Sequence, residues 1–498
     1  MTRDSMIDRV ATLADAGETV DMLVVGGGAT GLGTALDAAL RGYSVLLAEG
    51  HDFAKGTSSK STKLIHGGVR YLRQGNLSLV RGSLRERGHL IENAPGLVSP
   101  LAFVVPGYKF WDPLYYTTGL KLYDALAGSL SLGTSRYLSH RQTVDRLPSI
   151  NPINLHGGTL YFDAQFDDAR LALATARAAA DAGATVANYL KLTALTKSAD
   201  KINGAVLHDT IADRGYEIRA RVVVNATGTF GDHVRQLDDP GARPVLVPSQ
   251  GIHIVLDRSF LPGETALMIP DTDDGRVLFA ITFKNRLLVG TTDTPVNSPS
   301  LDPKPLPEEI GYLLEHLGRY LTKQPTHADV RSAFAGLRPL VGNPSAAGGK
   351  TSAISRDHTL LTSPSGLVSI LGGKWTTFRK MAQDTVDHAA AVAALPARPC
   401  TTASHHISAP TRTTQSPSLH PQLPYTEADI VNATRHEMAV TLEDTLARRT
   451  RCLLLDVAAT LDVAARTADI MAAELGHSKA WTVSQLAKFT AFSRRYLP

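Results

Sequence analysis

The chain has 498 residues, 43% of them hydrophobic, which is more than one core usually organises, so two or three domains are expected. Lys and Arg number 51 against 47 Asp and Glu, a net charge of +4 without a convincing basic run, and this argues against nucleic acid as a partner. Only Cys400 and Cys452 occur, without CxxC spacing, no apolar stretch approaches the ~18 residues of a membrane span, and the N-terminus lacks a signal-length apolar core, so the expectation is a cytoplasmic chain with no disulfide framework and no metal.

From Val20 to Glu49 the text VDMLVVGGGATGLGTALDAALRGYSVLLAE reads as a complete dinucleotide-binding βαβ unit. An apolar strand, Met22 to Val25, runs into Gly26-x-Gly28-x-x-Gly31. A helix from about Thr30 to Arg41 follows, and a second strand, Ser44 to Ala48, ends on Glu49. Gly26 permits the tight turn, Gly28 lets backbone approach a pyrophosphate, and Gly31 lets the helix pack closely, with phosphates on its positive N-terminus. Glu49 is positioned for ribose hydroxyls.

The glycine motif alone does not separate a nicotinamide from a flavin, and the following text does. Lys55 to Leu72, KGTSSKSTKLIHGGVRYL, is crowded with hydroxyls, glycines and cations where a nicotinamide enzyme would continue into its next crossover helix. Downstream, RVVVNATG (Arg221 to Gly228) and GLVSILGGKWTTFRKMAQ (Gly366 to Gln383) are strands ending in glycine or hydroxyl turns. Three such turns at the carboxyl edge of one sheet suit a large ligand, and FAD is favoured. Thr57, Ser58, Ser59, Lys63, His66, Gly228, Gly373, Lys374 and Thr376 are the candidate cofactor contacts besides the first motif.

The expected architecture is α/β and interleaved: a Rossmann-like FAD-binding domain from residues 19–72, 150–240 and 335–395, and a substrate domain from 73–149 and 241–334. Gly251 to Leu256, ALMIP and RVLFAITFKNRLLVGTT, with Lys284-Asn285 as a turn, predict an antiparallel sheet carrying the substrate pocket. Residues 401–424, rich in Ser, Thr, Pro and His, read as a linker. His405 and His406 lie in it without further ligands at metal-binding spacing. From 425 to 498 a small helical domain is expected. Thr426 would cap its first helix with Asp429 three residues on, Met438, Leu442 and Leu446 recur at helical spacing, and Asp444 and Arg448 form an exposed i,i+4 pair.

At these residues the chain resembles the FAD-dependent glycerol-3-phosphate dehydrogenases of the aerobic, quinone-linked type. The resemblance extends through YFDAQFDDARL (Tyr161 to Leu171), GTTDT (Gly290 to Thr294), AGLRPL (Ala335 to Leu340), ISRDHTL (Ile354 to Leu360), GGKWTTFRK and the C-terminal LPYTEADIVNATRHEMAVTLEDTLARRTR. It implies oxidation of sn-glycerol 3-phosphate to dihydroxyacetone phosphate, with electrons passing to a quinone, on a peripheral membrane protein at the inner face of the cell membrane; a homodimer is an open option. By the same resemblance Arg70, Tyr71, Arg338 and Arg356 bind the substrate, Arg70 and Arg356 gripping its phosphate, while Arg338 and Lys374 lie near the reacting oxygen or the flavin's pyrimidine end. His253, in SQGIHIVL, is the candidate general base, a type of residue suited to taking a proton at neutral pH. Against the base reading, a histidine between two isoleucines is as often a packed core residue.

One further segment, VVPGYKFWDPLYYTTGLKLYDAL (Val104 to Leu126), gathers Tyr108, Phe110, Trp111, Tyr115 and Tyr116 between Lys109 and Lys121. It reads either as a membrane-interface patch or as a buried wall of the substrate domain. Two alternative functions stand beside the main one: an oxygen-using flavin oxidase on a related alcohol or amine, and an inactive flavoprotein serving as a membrane-bound sensor or scaffold.

Overall fold

In the first strand, Thr19–Val25, every residue from Met22 on is buried, as in a parallel strand covered on both faces. The computed structural model that shows this describes residues 1–73, 75–342, 357–409 and 416–498, without the side chains of Arg70 and Arg73. Gly26 follows the strand at φ +112°, where a Cβ would press on the carbonyl of Ala226. Gly31 opens the helix Ala29–Leu40 where a Cβ would collide with the Gly26 carbonyl oxygen, so helix and turn approach as only glycine allows. Strand Val45–Ala48 then runs parallel to the first.

Around this unit the parallel strands stand in the order Val368–Gly372, Arg214–Asn225, Thr19–Val25, Val45–Ala48, Thr185–Ala187. The chain order therefore reverses beside Thr19–Val25, and such a switch point opens a crevice at the carboxyl ends of the strands. The helices Ala29–Leu40, Asp168–Asp181 and Phe378–Val392 pack together on one face over a common apolar core.

A second, ten-stranded sheet faces this crevice. It is antiparallel except for the pairing of Ala266–Ile269 with Val98–Gly107. The hairpin Leu278–Phe283 to Arg286–Gly290 turns at Lys284 and Asn285, as the sequence predicts. Two boundaries need correction. Gly157–Phe166 pairs with Val98–Gly107, and Ser332–Val341 pairs with Leu246–Asp257, so both belong to the second sheet, whereas the sequence places 150–240 and 335–395 in the FAD unit. Alternating apolar residues announce a strand; only long-range pairing decides which sheet it joins.

The C-terminal residues form helices Glu427–His436, Val457–Leu475 and Lys479–Ser493. Asp429 Oδ2 accepts from the Thr426 N–H at 2.8 Å, completing the expected cap. The predicted helical run beyond it breaks. The helix ends at His436, Met438 takes φ +53°, and Leu446 sits on a separate turn, Asp444–Arg449, although Met438, Leu442 and Leu446 are all buried. Asp444 and Arg448 are likewise buried rather than exposed, because Arg448 and Arg449 reach across to Asp52 of the first βαβ unit. The expected linker is, where described, packed chain: Thr402, Ile407 and Leu423 are buried, and the Ile407 N–H donates to the Asn93 carbonyl at 2.6 Å. Its polar composition removed regular secondary structure without removing packing.

Candidate functional site

Where the parallel strands end against the second sheet lies a cavity of about 680 Å³, in the range of cofactor and ligand pockets. One end is built from backbone. Gly26 and Gly28 line it beside the start of helix Ala29–Leu40, and Gly28 supplies no side-chain cap to that helix. Glu49, at the end of the neighbouring strand, faces the same space. Its Oε2 accepts from the Gly27 N–H at 2.6 Å and its Oε1 from the His51 N–H at 2.8 Å; burial raises its carboxyl above the ordinary carboxylate value against the pull of these two bonds.

The turn Thr57–Ser59 ties this end to the second sheet. Ser58 Oγ accepts from the Ala29 N–H at 2.9 Å, and Thr57 Oγ1 donates to the Leu337 carbonyl at 2.6 Å. Opposite, Asn225 donates to Ser369 Oγ and the Gly231 carbonyl, and its own oxygen accepts from Thr227 Oγ1 at 2.7 Å. Gly228, at φ +58°, thereby closes the wall. Gly373, at φ +83°, lines the third turn, where a Cβ would collide with Met381.

Ser59, Lys63 and Gly31 lie behind the wall rather than in it. Lys63 Nζ is fully buried and donates to Asp168 Oδ2 at 2.7 Å, the Ser61 carbonyl at 2.9 Å and the Ser59 carbonyl at 3.1 Å. Arg451 from the C-terminal domain binds Asp168 and the Ser59 carbonyl from the other side. Burial lowers the Lys63 ammonium to about 8, with Asp168 opposing the shift. Both residues therefore brace the TSSKSTK loop.

The other end is built from side chains. Leu246–Asp257 and Ser332–Val341 pair with Gly251 opposite Gly336 and Ser249 opposite Arg338. The Arg338 guanidinium lies across Gly251, where a Cβ would strike it. It donates to Thr292 O at 2.8 Å, Thr291 Oγ1 at 3.0 Å and Gln250 O at 3.2 Å. Lys374 Nζ lies 4.6 Å from the centre of the Tyr71 ring and 3.4 Å from Ser83 Oγ. His66 lines the cavity with its N–H donating to Thr376 Oγ1 at 3.3 Å. The expected set thus converges, except that Arg356 lies outside the described residues and Arg70 is placed only by its backbone in helix Val69–Arg73.

His253 is buried, its ring stacked on Phe334 at 4.9 Å, with Nε2 2.9 Å from Thr62 Oγ1. Burial, and then the nearby cations Lys63 and Arg338, hold it well below the ordinary imidazole value, so it is neutral at physiological pH. His253 is thus packed in the sheet and also lines the cavity.

Sequence reasoning left several functional side chains without a role. Glu309 accepts from Thr292, Thr294 and Gln250 at 2.7 to 2.8 Å, fixing the GTTDT turn that grips Arg338. Behind His66, Tyr123 accepts from the Gly67 N–H at 2.6 Å and donates to Asp163, which also pairs with Arg87 at 2.7 Å. The signal was present, because Asp163 and the threonines stand inside quoted motifs, but a motif names no partner.

Three strand-end turns of glycine, a helix start whose N-cap is a glycine, an acid at the second strand and a cationic far end fit FAD, with its pyrophosphate on the backbone end. The chain is an FAD-dependent oxidoreductase: the family model described as FAD dependent oxidoreductase matches residues 21–379, and that of the C-terminal domain of alpha-glycerophosphate oxidase matches 366–482. Among curated proteins it is similar to the mitochondrial glycerol-3-phosphate dehydrogenase of Mesocricetus auratus, 37% identical over 97% of this chain and 74% of that protein. The mitochondrial glycerol-3-phosphate dehydrogenase SDP6 of Arabidopsis thaliana is also 37% identical, over 96% of this chain and 86% of its own length. The structure of the glycerol-3-phosphate dehydrogenase from Bacillus halodurans complexed with FAD superposes with a TM-score of 0.79 at 28% identity, covering 100% of this chain and 98% of that one. The chain belongs to the glycerol-3-phosphate dehydrogenase family.

Proposed function

We propose that this chain oxidises sn-glycerol 3-phosphate to dihydroxyacetone phosphate and passes the electrons to a quinone. The observation that carries the reading is that Arg338, Lys374 and a neutral His253 line the same cavity as the glycine cradle. Bound FAD supplies the acceptor for the hydride that leaves C2. The protein must then hold the phosphate, take the hydroxyl proton and offset negative charge. Arg70 and Arg356 hold the phosphate, for which guanidinium forks are suited because they bind its oxygens bidentately, and Tyr71 adds a further substrate contact. Arg338 and Lys374 offset charge at the reacting oxygen or at the flavin's pyrimidine edge. His253 receives the proton. Gly26, Gly28 and Gly228 admit the cofactor's backbone, Glu49 takes ribose hydroxyls, and Thr57, Ser58, His66, Gly373 and Thr376 complete its walls.

The quinone reading goes with a peripheral seat on the membrane. No helix among the described residues is long and apolar enough to cross a membrane. Phe110 and Trp111 are each 69% exposed, Leu114 60% and Tyr115 58%, all at the start of helix Asp112–Ala127, and so apolar a patch favours the membrane interface over the buried wall.

Anaerobic addition of sn-glycerol 3-phosphate to the holoenzyme should bleach the flavin bands, and a water-soluble quinone should restore them. Stoichiometric peroxide in air, with no response to quinone, would favour the oxidase reading; no bleaching at all would favour the inactive sensor. Charge-assisted hydrogen bonds contribute roughly 1.5–3 kcal/mol each, so Arg70→Ala or Arg356→Ala should lower kcat/KM about tenfold to several hundredfold. Activity on unphosphorylated glycerol should change far less, and an equal loss on both substrates would refute the phosphate assignment.

A further inference from the structure

His253 is the residue expected to take the substrate proton, yet its imidazole does not present a free nitrogen to the cavity. It is 3% exposed, one face lies on Phe334, and Gly290 closes so near that a Cβ there would strike the ring. Nδ1 is buried and has no hydrogen-bond partner among the described residues. Among the described residues the imidazole's one hydrogen bond runs from Nε2 to Thr62 Oγ1, at 2.9 Å, and Thr62 itself lines the cavity. The neighbouring Lys63, with its three acceptors, pins this stretch of chain, so the hydroxyl is held in place by its own backbone.

We propose that Thr62 is a catalytic residue: its hydroxyl, not the imidazole, binds the substrate's C2 hydroxyl and relays the proton to His253. The inference rests on C2 oxidation as read above. A hydroxyl can donate one hydrogen bond while accepting another, so Thr62 donates to Nε2 in the tautomer protonated at Nδ1 and accepts from the substrate. As the C2–H bond breaks and its electron pair leaves as hydride to the bound flavin, the substrate O–H proton moves to Thr62 Oγ1. The proton already on Oγ1 moves to Nε2, the carbonyl forms, and His253 ends as imidazolium. Lys63 and Arg338 disfavour that cation, so once the product has left, the proton passes back through Thr62 Oγ1 to water entering the cavity and His253 resets.

Thr62→Val removes the hydroxyl at nearly constant shape, and Thr62→Ser keeps it. A positioned general base contributes about 10²–10⁴-fold, so Thr62→Val holoenzyme should reduce its flavin at least about 10²-fold more slowly with sn-glycerol 3-phosphate. Its flavin content should stay near the wild-type value, its KM should rise by no more than about tenfold for the one lost hydrogen bond, and Thr62→Ser should recover most of the rate. Unchanged flavin reduction in Thr62→Val, or a rate in Thr62→Ser as poor as in valine, overturns the relay. An independent arm needs no variant that could misfold. In wild-type holoenzyme, flavin reduction measured across H₂O–D₂O mixtures should curve downward with deuterium content, because two protons move with the hydride; a straight line or no isotope effect overturns it. Wild-type enzyme that fails to bleach with this substrate would instead remove the C2-oxidation reading itself.

Discussion

The two ends of the cavity are made of different material. At the cofactor end the recognition surface is main chain: Gly26 and Gly373 sit where a Cβ would collide with its neighbours, and the first βαβ unit with the loop after it lines that end in one unbroken stretch, residues 25–62. At the substrate end the surface is side chain, and Tyr71, His253, Arg338 and Lys374 arrive from four separate elements spread along the chain from residue 71 to residue 374. Each is aimed by partners of its own, Arg338 by Gln250 and the Thr291–Thr292 turn, His253 by Thr62 and Phe334. The difference teaches that the backbone end should fail by exclusion, all at once, whereas the side-chain end should fail by degrees and only in its chemistry.

The largest expected effect follows at the backbone end. Gly28 caps the helix at the cavity wall, and a side chain added there meets Ser58 Oγ at 3.1 Å before it meets any ligand. Gly28→Val should yield a folded but largely colourless protein, since the pyrophosphate can no longer reach the helix start. Purified variant with stoichiometric FAD would break the comparison at its first term.

Next comes Arg338. Removing one donor that stabilises developing charge costs about 10²–10³ in turnover, so Arg338→Ala should lower kcat by about that factor. Flavin content should persist because the glycine cradle is intact. Arg338→Lys should recover little, because an ammonium cannot span Thr291, Thr292 and the Gln250 carbonyl while facing the cavity. Stopped-flow reduction alongside flavin absorbance separates the outcomes; loss of colour with loss of rate would show that the two ends are not independent.

Asp52 tests whether the backbone end is as local as it looks. It stands three residues after Glu49, and Arg448 and Arg449 of the C-terminal domain both close on it. Burial pushes this carboxyl up, but Arg449 and Arg448 outweigh burial and bring it down to about 2. The folded value lies below the ~3.9 of an unfolded aspartate. Its contribution is therefore present above about pH 4 and lost as pH falls towards 2. Removing one member of a buried pair costs about 3–5 kcal/mol, so Asp52→Asn should unfold at clearly lower urea at pH 7. The gap to wild type should narrow at pH 3. An equal gap at both values would contradict the assignment.

The same contrast explains what could be read in advance. The glycine spacing, the strands around it, the Lys284-Asn285 hairpin and the Thr426 cap are local: each depends on residues within a few positions, and each appears in the structure as expected. What was missed is long-range. Lys63 reads as a cofactor contact until Asp168 and Arg451 close on it, and Asp444–Arg448 reads as a surface pair until Asp52 is seen beneath it. Ser332–Val341 shows the same limit in the backbone, since nothing in an alternating strand states which sheet will receive it.

The smallest effect on chemistry should come from the patch outside the cavity. Helix Asp112–Ala127 is divided along its length. Tyr123 is buried against Asp163 behind the His66 turn, while Leu114 and Tyr115 face solvent beside Phe110 and Trp111. Each ring moved from water to the interface removes apolar area worth about 25 cal/mol per Å², and Lys109 and Lys121 add attraction to anionic lipid. Association should therefore be reversible and partly salt-sensitive. Changing Phe110, Trp111 and Tyr115 to Ser should release the enzyme from anionic liposomes in a sedimentation assay, with flavin content and turnover on a soluble dye unchanged, because none of the three touches the cavity wall. A triple variant that still sediments with liposomes refutes the membrane seat; one that loses flavin shows that the patch supports the fold after all.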